Sequence, residues 1–533
     1  MSKGFFKSGS AVLIVVLVWR VALLIFSAQP VPSNDAFFYD GPVVNFLLHG
    51  KYANPSLALA LPISGKEVFC AYPPLYQLVL LGWMAVFGVS AISAMFLHLV
   101  LFGICIRLLG SIFGELKLPG WGGNIASLFL LVITFHDRPD SLAHVFGLAA
   151  IYSWTRARSA AMAPSATSLT GERPAPSRSW KVWHWLMVVF VILGLGTGLQ
   201  IGGVYFLVVW IGTMTSAFFA KDDFPVLQMT ASILVPIALV LLVAFGFPHL
   251  WEGFLEHARQ TPSISGWRIP LAGEILKMIR TVPGVLAVAA LAPRWFPRRN
   301  ELEQAGEETV WLVTLACTAA ALAIVVASMI VLTANSVFFA SFLQPVIVGG
   351  YLAMMARRVE ERGALPGLVR LQAAGFVGLA AIGAIRAIGM STWGLACAAD
   401  VGYPTAISIV KTELSNVRRG SPVVLSSGYL YEAARHSSDI RWIHSDWIVP
   451  AERGQNRDLE GLISLKPSKL ILTQFDFYRR YEPILAELRS RPEVSEVGLT
   501  NTARIPPPDS FKSLQKVVQH ISWAPIVVRL SWK

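Results

Sequence analysis

The chain has 533 residues, of which 54% are hydrophobic and only 14% are charged. Soluble domains carry about 45–50% apolar and about 25% charged residues. The composition therefore excludes a soluble multidomain enzyme, a disordered chain and, with only four cysteines, a disulfide-rich secreted scaffold. An integral membrane protein remains, and the net charge of +12 is predicted to report membrane topology rather than nucleic-acid binding.

Apolar runs of about 20 residues predict membrane-spanning helices, and about eleven such runs follow one another along the chain. The first, Ser10–Ala28, follows two lysines and has no cleavage signal, which predicts an uncleaved signal-anchor with a cytoplasmic N-terminus. The other predicted spans are Ala91–Phe113, Trp121–Phe135, Ser141–Trp154, Val182–Gln200, Gly202–Phe219, Val226–Phe247, Leu271–Ala292, Val310–Leu332, Val337–Met355 and Leu368–Thr392.

The apolar segment Pro73–Gly88 is short and begins with two prolines. If it does not cross the membrane, the arginine-rich connectors Arg156–Lys181, Arg294–Arg299 and Arg357–Arg370 all face the cytoplasm, as the positive-inside rule requires. If it crosses, the first of these connectors becomes external. The charge pattern therefore favours a re-entrant or interfacial helix, an external first loop over residues 29–72 and an external C-terminus.

The last 140 or so residues have more charge and no long apolar run. Short β-branched runs alternate there with helical patterns, which predicts a small α/β domain with a parallel sheet. The predicted strands are Val423–Ser426, Ile440–His444 and Lys469–Thr473, and the predicted helices are Tyr429–His436, Asp458–Leu465 and Glu482–Arg489. The predicted organisation is thus a membrane domain over residues 1–392 and an extracytoplasmic domain over residues 393–533, the latter interpreted as a lid or docking module.

The first external loop carries Asp35 immediately after the first helix. A carboxylate at the membrane surface can accept a proton from a nucleophile or hold a divalent metal, and Asp is equally a favoured helix N-cap. Asp40 and Glu67 follow it, together with Tyr72 and Tyr76 around the paired prolines. Tyrosines at this depth can line a substrate groove or form an interfacial aromatic belt.

A second short external loop, His136–Asp140, places four ionisable groups between two spans. Such groups are costly at a membrane unless they face a polar cavity, although Asp137 and Arg138 could pair and Asp140 could cap the next helix. A metal site formed by His136, Asp140 and His144, the last of them one helical turn after the loop, is a further alternative.

The stretch Trp251–Gln260 has helical spacing of its apolar residues and predicts an amphipathic helix at the outer interface. His257 and Arg259 on this helix could hold a phosphate or form its solvated face. Arg20 lies within the first apolar helix, and an intramembrane arginine suggests a phosphate-bearing lipid as partner.

Four motifs occur in order on the same predicted side of the membrane: Asp35-x-x-x-Tyr39, Gly50-Lys51-Tyr52, Tyr72-Pro73-Pro74-Leu75-Tyr76 and Arg138-Pro139-Asp140. This combination resembles the GT-C class of membrane glycosyltransferases, which includes the protein O-mannosyltransferases, the aminoarabinose transferases that modify lipid A and the RgtA/B/C/D-like transferases. The resemblance covers residues 1–392, and the α/β tail is similar in placement to the external domains of many members.

The resemblance implies transfer of a sugar from a polyprenyl-phosphate donor to an acceptor hydroxyl outside a membrane, expected to be the bacterial inner membrane. The general base then falls on Asp35, and a second acidic site falls on Asp140 and Asp137. Candidates for the donor phosphate are Arg138, His257, Arg259 and Arg20. The substrate groove falls on Tyr72, Tyr76, Glu67 and Asp40.

Asp35 departs from many members because Asn34 and Ala36 flank it in place of a second acid. No cofactor is certain, and a divalent metal is possible. The acceptor could be a lipid, a glycan or a protein. Two other functions stay open: a transporter or flippase for a lipid-linked sugar, which predicts polar residues at mid-membrane, and a non-catalytic membrane scaffold. Clustering of the acids at the external face favours an enzyme.

Overall fold

A computed structural model describes most of the chain. The described residues are 10–28, 34–131, 140–162, 179–220, 248–260, 272–291, 308–330, 334–362, 366–398, 401–436, 441–446, 455–501 and 522–533, with a few single positions between 235 and 246. The predicted span Val226–Phe247 and the loop residues Asp137 and Arg138 lie outside the described ranges.

The membrane part is built from helices, numbered here among the described residues. They are α1 (Ser10–Ser27), α2 (Asn34–His49), α3 (Pro62–Lys66), α4 (Leu75–Phe87), α5 (Ala91–Glu115), α6 (Gly120–Leu128), α7 (Asp140–Met162), α8 (Ser179–Thr197), α9 (Leu199–Ala220), α10 (Pro248–Gln260), α11 (Ala272–Thr281), α12 (Pro283–Leu291), α13 (Glu308–Ile330), α14 (Gln344–Arg362) and α15 (Pro366–Ala398). Within the part of the chain that the structure describes, five helical segments are long and apolar enough to cross a membrane, and they lie within α5, α8, α9, α13 and the stretch 338–357. The chain is a polytopic helical membrane protein.

Two predicted spans have a different local structure. Leu271–Ala292 is divided into α11 and α12, because Pro283 begins a new helix and cannot continue the preceding one. The Gln344 side chain stabilises this break, since it accepts a hydrogen bond from Gly284 N at 2.9 Å and donates one to Thr281 O at 3.0 Å. The predicted span Val337–Met355 begins within a 3₁₀ helix, Ala334–Leu343, and continues as α14.

The short apolar segment after the paired prolines forms α4, which has 13 residues. At 1.5 Å per residue it is about 20 Å long, against about 30 Å of hydrocarbon in a bilayer. Gly88, with φ of +85°, ends it, and the Ser90 side chain caps α5 by accepting a hydrogen bond from Ser93 N. Its length supports the prediction of a helix that does not cross by itself.

The membrane helices pack around one apolar core to which α5, α7, α9, α13 and α14 all contribute. Gly147 of α7 allows the Tyr205 ring of α9 to approach the α7 backbone, because a Cβ at this position would overlap the ring. At the far end of α7, the buried Arg158 pairs with Glu308 at 2.7 Å, and Arg156 pairs with Glu115 at 2.8 Å. Two arginines of the predicted cytoplasmic connectors thus bind the ends of neighbouring helices.

The C-terminal part is a small α/β unit with a five-stranded sheet in the order β2-β1-β3-β5-β4. Its elements are α16 (Tyr403–Ser415), β1 (Pro422–Leu425), α17 (Leu430–Arg435), β2 (Arg441–His444), α18 (Gln455–Leu465), β3 (Lys469–Leu472), α19 (Gln474–Asp476), a π-helical turn (Phe477–Tyr481), α20 (Glu482–Leu488), β4 (Val494–Asn501) and β5 (Ile526–Trp532). The first three strands are parallel, as predicted, while β4 and β5 add an antiparallel edge absent from the prediction.

The interior strand β1 is buried on both faces of the sheet. Val423 and Leu425 of β1 point into a core shared with α2, α4 and the first external loop, whereas Val424 points into a second core with α18 and α20. Successive side chains of a strand face opposite sides, so β1 joins the two cores directly. The C-terminal unit is therefore packed onto the first external loop through one face of β1, β2 and β3.

Candidate active site

Asp35 lies in the first turn of α2, which begins at Asn34. Its side chain is outside the described residues, so its role as a base stays a prediction. The next turn carries Phe38 and Tyr39, both buried. The predicted catalytic position is therefore one helical turn from the centre of an aromatic cluster.

That cluster joins the first external loop to the amphipathic helix α10. Phe38 packs against Tyr39, Phe69 and Tyr72 with ring centroids 5.4–5.7 Å apart. The His257 ring of α10 lies 4.8 Å from Phe38 and 5.3 Å from Tyr72. Two residues assigned by resemblance to different roles, Tyr72 and His257, are thus in contact beside α2.

Burial lowers the pKa of His257 to about 4, because desolvation disfavours the charged imidazolium. The ring is therefore neutral at pH 7. A neutral imidazole can donate one N–H hydrogen bond to a phosphate oxygen, but it supplies no positive charge. The other residues predicted to hold a phosphate, Arg20, Arg138 and Arg259, have guanidinium groups that are always charged.

A buried chain of hydrogen bonds connects α2, α4, α5 and α7. Tyr76 Oη lies 2.9 Å from Asp40 Oδ1 and 3.0 Å from His98 Nε2, and His98 Nδ1 lies 2.7 Å from Ser141 Oγ. Tyr431 of α17 donates to the other Asp40 oxygen at 2.7 Å. All five side chains are buried, and Asp40 and Tyr76 are fully so. Neither therefore contributes exposed surface to the substrate groove in which the sequence analysis placed them.

The direction of this chain follows from the chemistry of its members. A carboxylate only accepts, so Tyr76 and Tyr431 both donate to Asp40. The Tyr76 oxygen then accepts from His98 Nε2–H, which leaves Nδ1 as the acceptor for the Ser141 hydroxyl. Every donor in this chain points toward Asp40. Hydrogen bonds aligned in this way polarise and strengthen one another in a low-dielectric interior.

Ser141 directly follows Asp140, the first residue of α7 and the second predicted acid. Asp140 is half-buried, and the positive end of the α7 dipole favours its charge. The buried chain thus links the helix that begins at Asp140 to the helix that carries Asp35.

The remaining predicted residues are more scattered. Glu67 is exposed in the first external loop, and Arg20 is half-buried within α1. The side chain of Arg259, like Asp137 and Arg138, lies outside the described residues. Among the described residues, no group of three His, Cys, Asp or Glu side chains is close enough to hold a metal ion. His98 was not predicted, although an ionisable residue within an apolar helix is itself a signal of function.

The fold of this chain is similar to that of solved structures of a membrane glycosyltransferase. ArnT from Cupriavidus metallidurans, an aminoarabinose transferase of the GT-C class, aligns in its crystal form bound to undecaprenyl phosphate with a TM-score of 0.51 and 13% identity, over 97% of each chain. Its apo form aligns with a TM-score of 0.50 and 12% identity, over 97% of this chain and 96% of that one. The archaeal oligosaccharyltransferase AglB from Archaeoglobus fulgidus, in complex with an inhibitory peptide and a dolichol-phosphate, aligns with a TM-score of 0.46 and 10% identity, over 92% of this chain and 73% of that one.

This chain has the GT-C fold, as its motifs predicted, together with the small C-terminal sheet domain. No protein-family model and no curated protein matches its sequence.

Proposed function

We propose that this protein transfers a sugar from a polyprenyl-phosphate-linked donor to an acceptor hydroxyl at the external face of the membrane. The observation that carries the proposal is the GT-C fold over 97% of the chain, with the two acid-bearing helices α2 and α7 joined by the buried chain from Asp40 to Ser141. The fold neighbour ArnT was crystallised with undecaprenyl phosphate, which supports a lipid carrier of this class.

In the proposed reaction the acceptor hydroxyl attacks the anomeric carbon and the lipid phosphate leaves. Asp35 accepts the hydroxyl proton as general base, which is worth about 10²–10⁴ in rate. The developing phosphate charge is stabilised by Arg138, Arg259 and Arg20, while His257 donates a neutral hydrogen bond. A single displacement of this kind inverts the configuration of the sugar.

A divalent metal near Asp35 has a restricted choice of partners. Asp40, which follows Asp35 in α2, already uses both carboxylate oxygens to accept phenolic hydrogens. It therefore does not fit a metal-ligand set in this conformation. If a metal binds, the exposed Glu67 and the half-buried Asp140 are the carboxylates that we propose to join Asp35.

The proposed orientation follows the charge pattern. The N-terminus is cytoplasmic, the first external loop and the C-terminal domain are extracytoplasmic, and the host membrane is a bacterial inner membrane. In this orientation Asp35, Asp140 and α10 all lie at the depth of lipid phosphates, where a polyprenyl-phosphate donor presents its sugar.

Purified protein supplied with radiolabelled undecaprenyl-phosphate sugars and envelope acceptors tests the proposal. We expect the wild type to consume a donor and Asp35→Asn to be at least about 100-fold slower, because the general base is lost. Glu460→Gln, which changes an exposed acid of α18, is the matched control and should keep the wild-type rate. A wild type that consumes no donor, or an Asp35→Asn variant as fast as the wild type, contradicts the proposal.

A further inference from the structure

The C-terminal domain holds the chain on both sides of Asp35. Before it, the Trp523 indole N–H donates to the carbonyl of Ala28, the residue that follows α1, at 3.1 Å. After it, Tyr431 donates to Asp40 in the second turn of α2. The predicted base therefore lies between two points of attachment to one domain.

These attachments belong to a wider contact. At the end of α2, His49 Nε2 lies 2.8 Å from the carbonyl of Ala434, and Arg435 donates to the Val89 carbonyl in the α4–α5 turn at 2.8 Å. Trp523 is itself fixed by Tyr429, which donates to its carbonyl at 2.9 Å. Helix α17 thus contacts α2 near its start, through Tyr431 and Asp40, and near its end, through Ala434 and His49.

Asp40 is the point at which this contact meets the buried chain. Its two oxygens accept from different parts of the molecule, Tyr431 of the C-terminal domain and Tyr76 of α4. Through Tyr76 and His98 the connection continues to Ser141 in the first turn of α7. Removing one hydroxyl from this chain therefore loosens both α2 and the start of α7.

We propose that Tyr431 is a positioning residue for sugar transfer: through Asp40 it fixes the first turns of α2 and α7, which carry Asp35 and Asp140. This inference rests on the proposed function, and it gives the C-terminal domain a role in the reaction without chemistry of its own. Tyr431 is buried with its hydroxyl on Asp40, so we expect its loss to change the geometry of the acids rather than the binding of the lipid.

Tyr431→Phe is the sharpest test because it removes one oxygen and keeps the buried ring. A misplacement of about 1 Å can cost about 100-fold in rate, so we expect kcat to fall by about 10- to 100-fold with donor KM changed less than about twofold. Tyr481→Phe is the matched control. The fully buried Tyr481 hydroxyl donates to Ser445 O at 2.6 Å, within the same domain but outside the hydrogen-bond chain from Asp40 to Ser141. It should keep the wild-type kcat.

A double-mutant cycle tests whether Tyr431 acts through Asp40. In an Asp40→Asn background, Tyr431→Phe should cause little further loss of kcat, because the shared path is already broken. Independent multiplication of the two losses overturns the proposal, as does a wild-type kcat in Tyr431→Phe or an equal loss in Tyr481→Phe.

Hydrogen exchange separates this inference from the proposed function, since it needs no substrate. Amides of α2 and of the first turn of α7 should exchange faster in Tyr431→Phe than in the wild type and in Tyr481→Phe. Unchanged exchange there overturns the positioning role. If the wild type consumes no donor while exchange in α2 and α7 rises as expected, the proposed sugar transfer fails and the mechanical link from Tyr431 stands.

Discussion

At the scale of single residues, the candidate site depends on polar groups whose surroundings change their chemistry. His257 was assigned to the donor phosphate as a potential cation, but its contacts with Phe38 and Tyr72 keep it neutral. Asp40 was assigned to a substrate groove and is instead the acceptor of two buried hydroxyls. The partners of His257 are aromatic residues of the first external loop, whereas those of Asp40 are tyrosines of α4 and of the C-terminal domain.

His257 makes the acid stability of the protein predictable. An unfolded histidine titrates near pH 6.5, whereas the pKa of folded His257 is about 4. Between these values the unfolded state binds more protons, so this contribution to stability is complete above pH 6.5 and decreases as the pH falls toward 4. At pH 5 the loss is about 1–2 kcal/mol after allowance for partial exposure.

The measurement is thermal unfolding of wild type and His257→Phe in detergent from pH 8 to pH 5. The variant keeps a ring against Phe38 and Tyr72 and cannot titrate. The wild type should therefore lose melting temperature relative to the variant between pH 6.5 and pH 5, and the difference should be constant from pH 7.5 to pH 8. A constant difference down to pH 5 contradicts the burial of a neutral His257.

At the scale of elements, helix α10 is joined to the first external loop by a close contact. A Cβ added at Gly253 would overlap Cys70 Sγ, and would lie 3.3 Å from Cys70 Cβ. One turn later, Glu256 accepts a long hydrogen bond from Ile63 N at 3.4 Å. The glycine thus allows α10 to approach the loop closely enough for His257 to reach Phe38.

Gly253→Ala should therefore move α10 outward and weaken donor binding. We expect donor KM to rise by about tenfold, equivalent to about 1.4 kcal/mol, while kcat changes less. Gly273→Ala is the control, because this glycine of α11 has open space around it. Adding Cys70→Ala to Gly253→Ala removes the overlapping sulfur and should restore KM. A KM that is unchanged in Gly253→Ala, or one that the second substitution does not restore, contradicts this account of the contact.

The elements that could be predicted are those with a local signal. The three parallel strands start and end within one residue of their predicted bounds, because short β-branched runs flanked by polar residues are specific for strands. Strands β4 and β5 were missed. Glu496 and Thr500 alternate with Val497 and Leu499 in β4, and that pattern was too polar to stand out from a loop.

The buried chain could not be predicted, because its members are far apart in sequence. Tyr76 and His98 are 22 positions apart, and Asp40 and Tyr431 are 391 positions apart. A tyrosine in an apolar helix, such as Tyr76, is consistent with an aromatic belt. Only the packing of α17 on α2 identifies Tyr431 as the second partner of Asp40. Motif order indicated the GT-C fold, whereas the contacts that join the two acids depend on tertiary structure.

At the scale of the whole molecule, the charges segregate between the two ends of the helices. Arg156 and Arg158 at the far end of α7 pair with Glu115 and Glu308. The other end of α7 carries Asp140, and the hydrogen-bond chain from Ser141 through His98, Tyr76 and Asp40 connects it to Tyr431 of the C-terminal domain. The α/β domain, the first external loop and α10 therefore share one side of the helical part. The proposed topology makes that side external.

Cysteine labelling tests this topology directly. Of the native cysteines, Cys70, Cys105 and Cys317 are buried, so a Cys397→Ser background should react little with a membrane-impermeant maleimide. Glu67→Cys and Glu487→Cys replace exposed residues of the first external loop and of the C-terminal domain, and Lys117→Cys replaces an exposed residue in the turn after α5.

In spheroplasts we expect Glu67→Cys and Glu487→Cys to be labelled, because their positions lie on the side of Asp35. Lys117→Cys should be labelled only after the membrane is permeabilised, because α5 carries the chain to the arginine-rich side. Labelling of Lys117→Cys in sealed spheroplasts, or protection of Glu67→Cys, contradicts an external site and with it the access of the protein to a lipid-linked donor presented from outside.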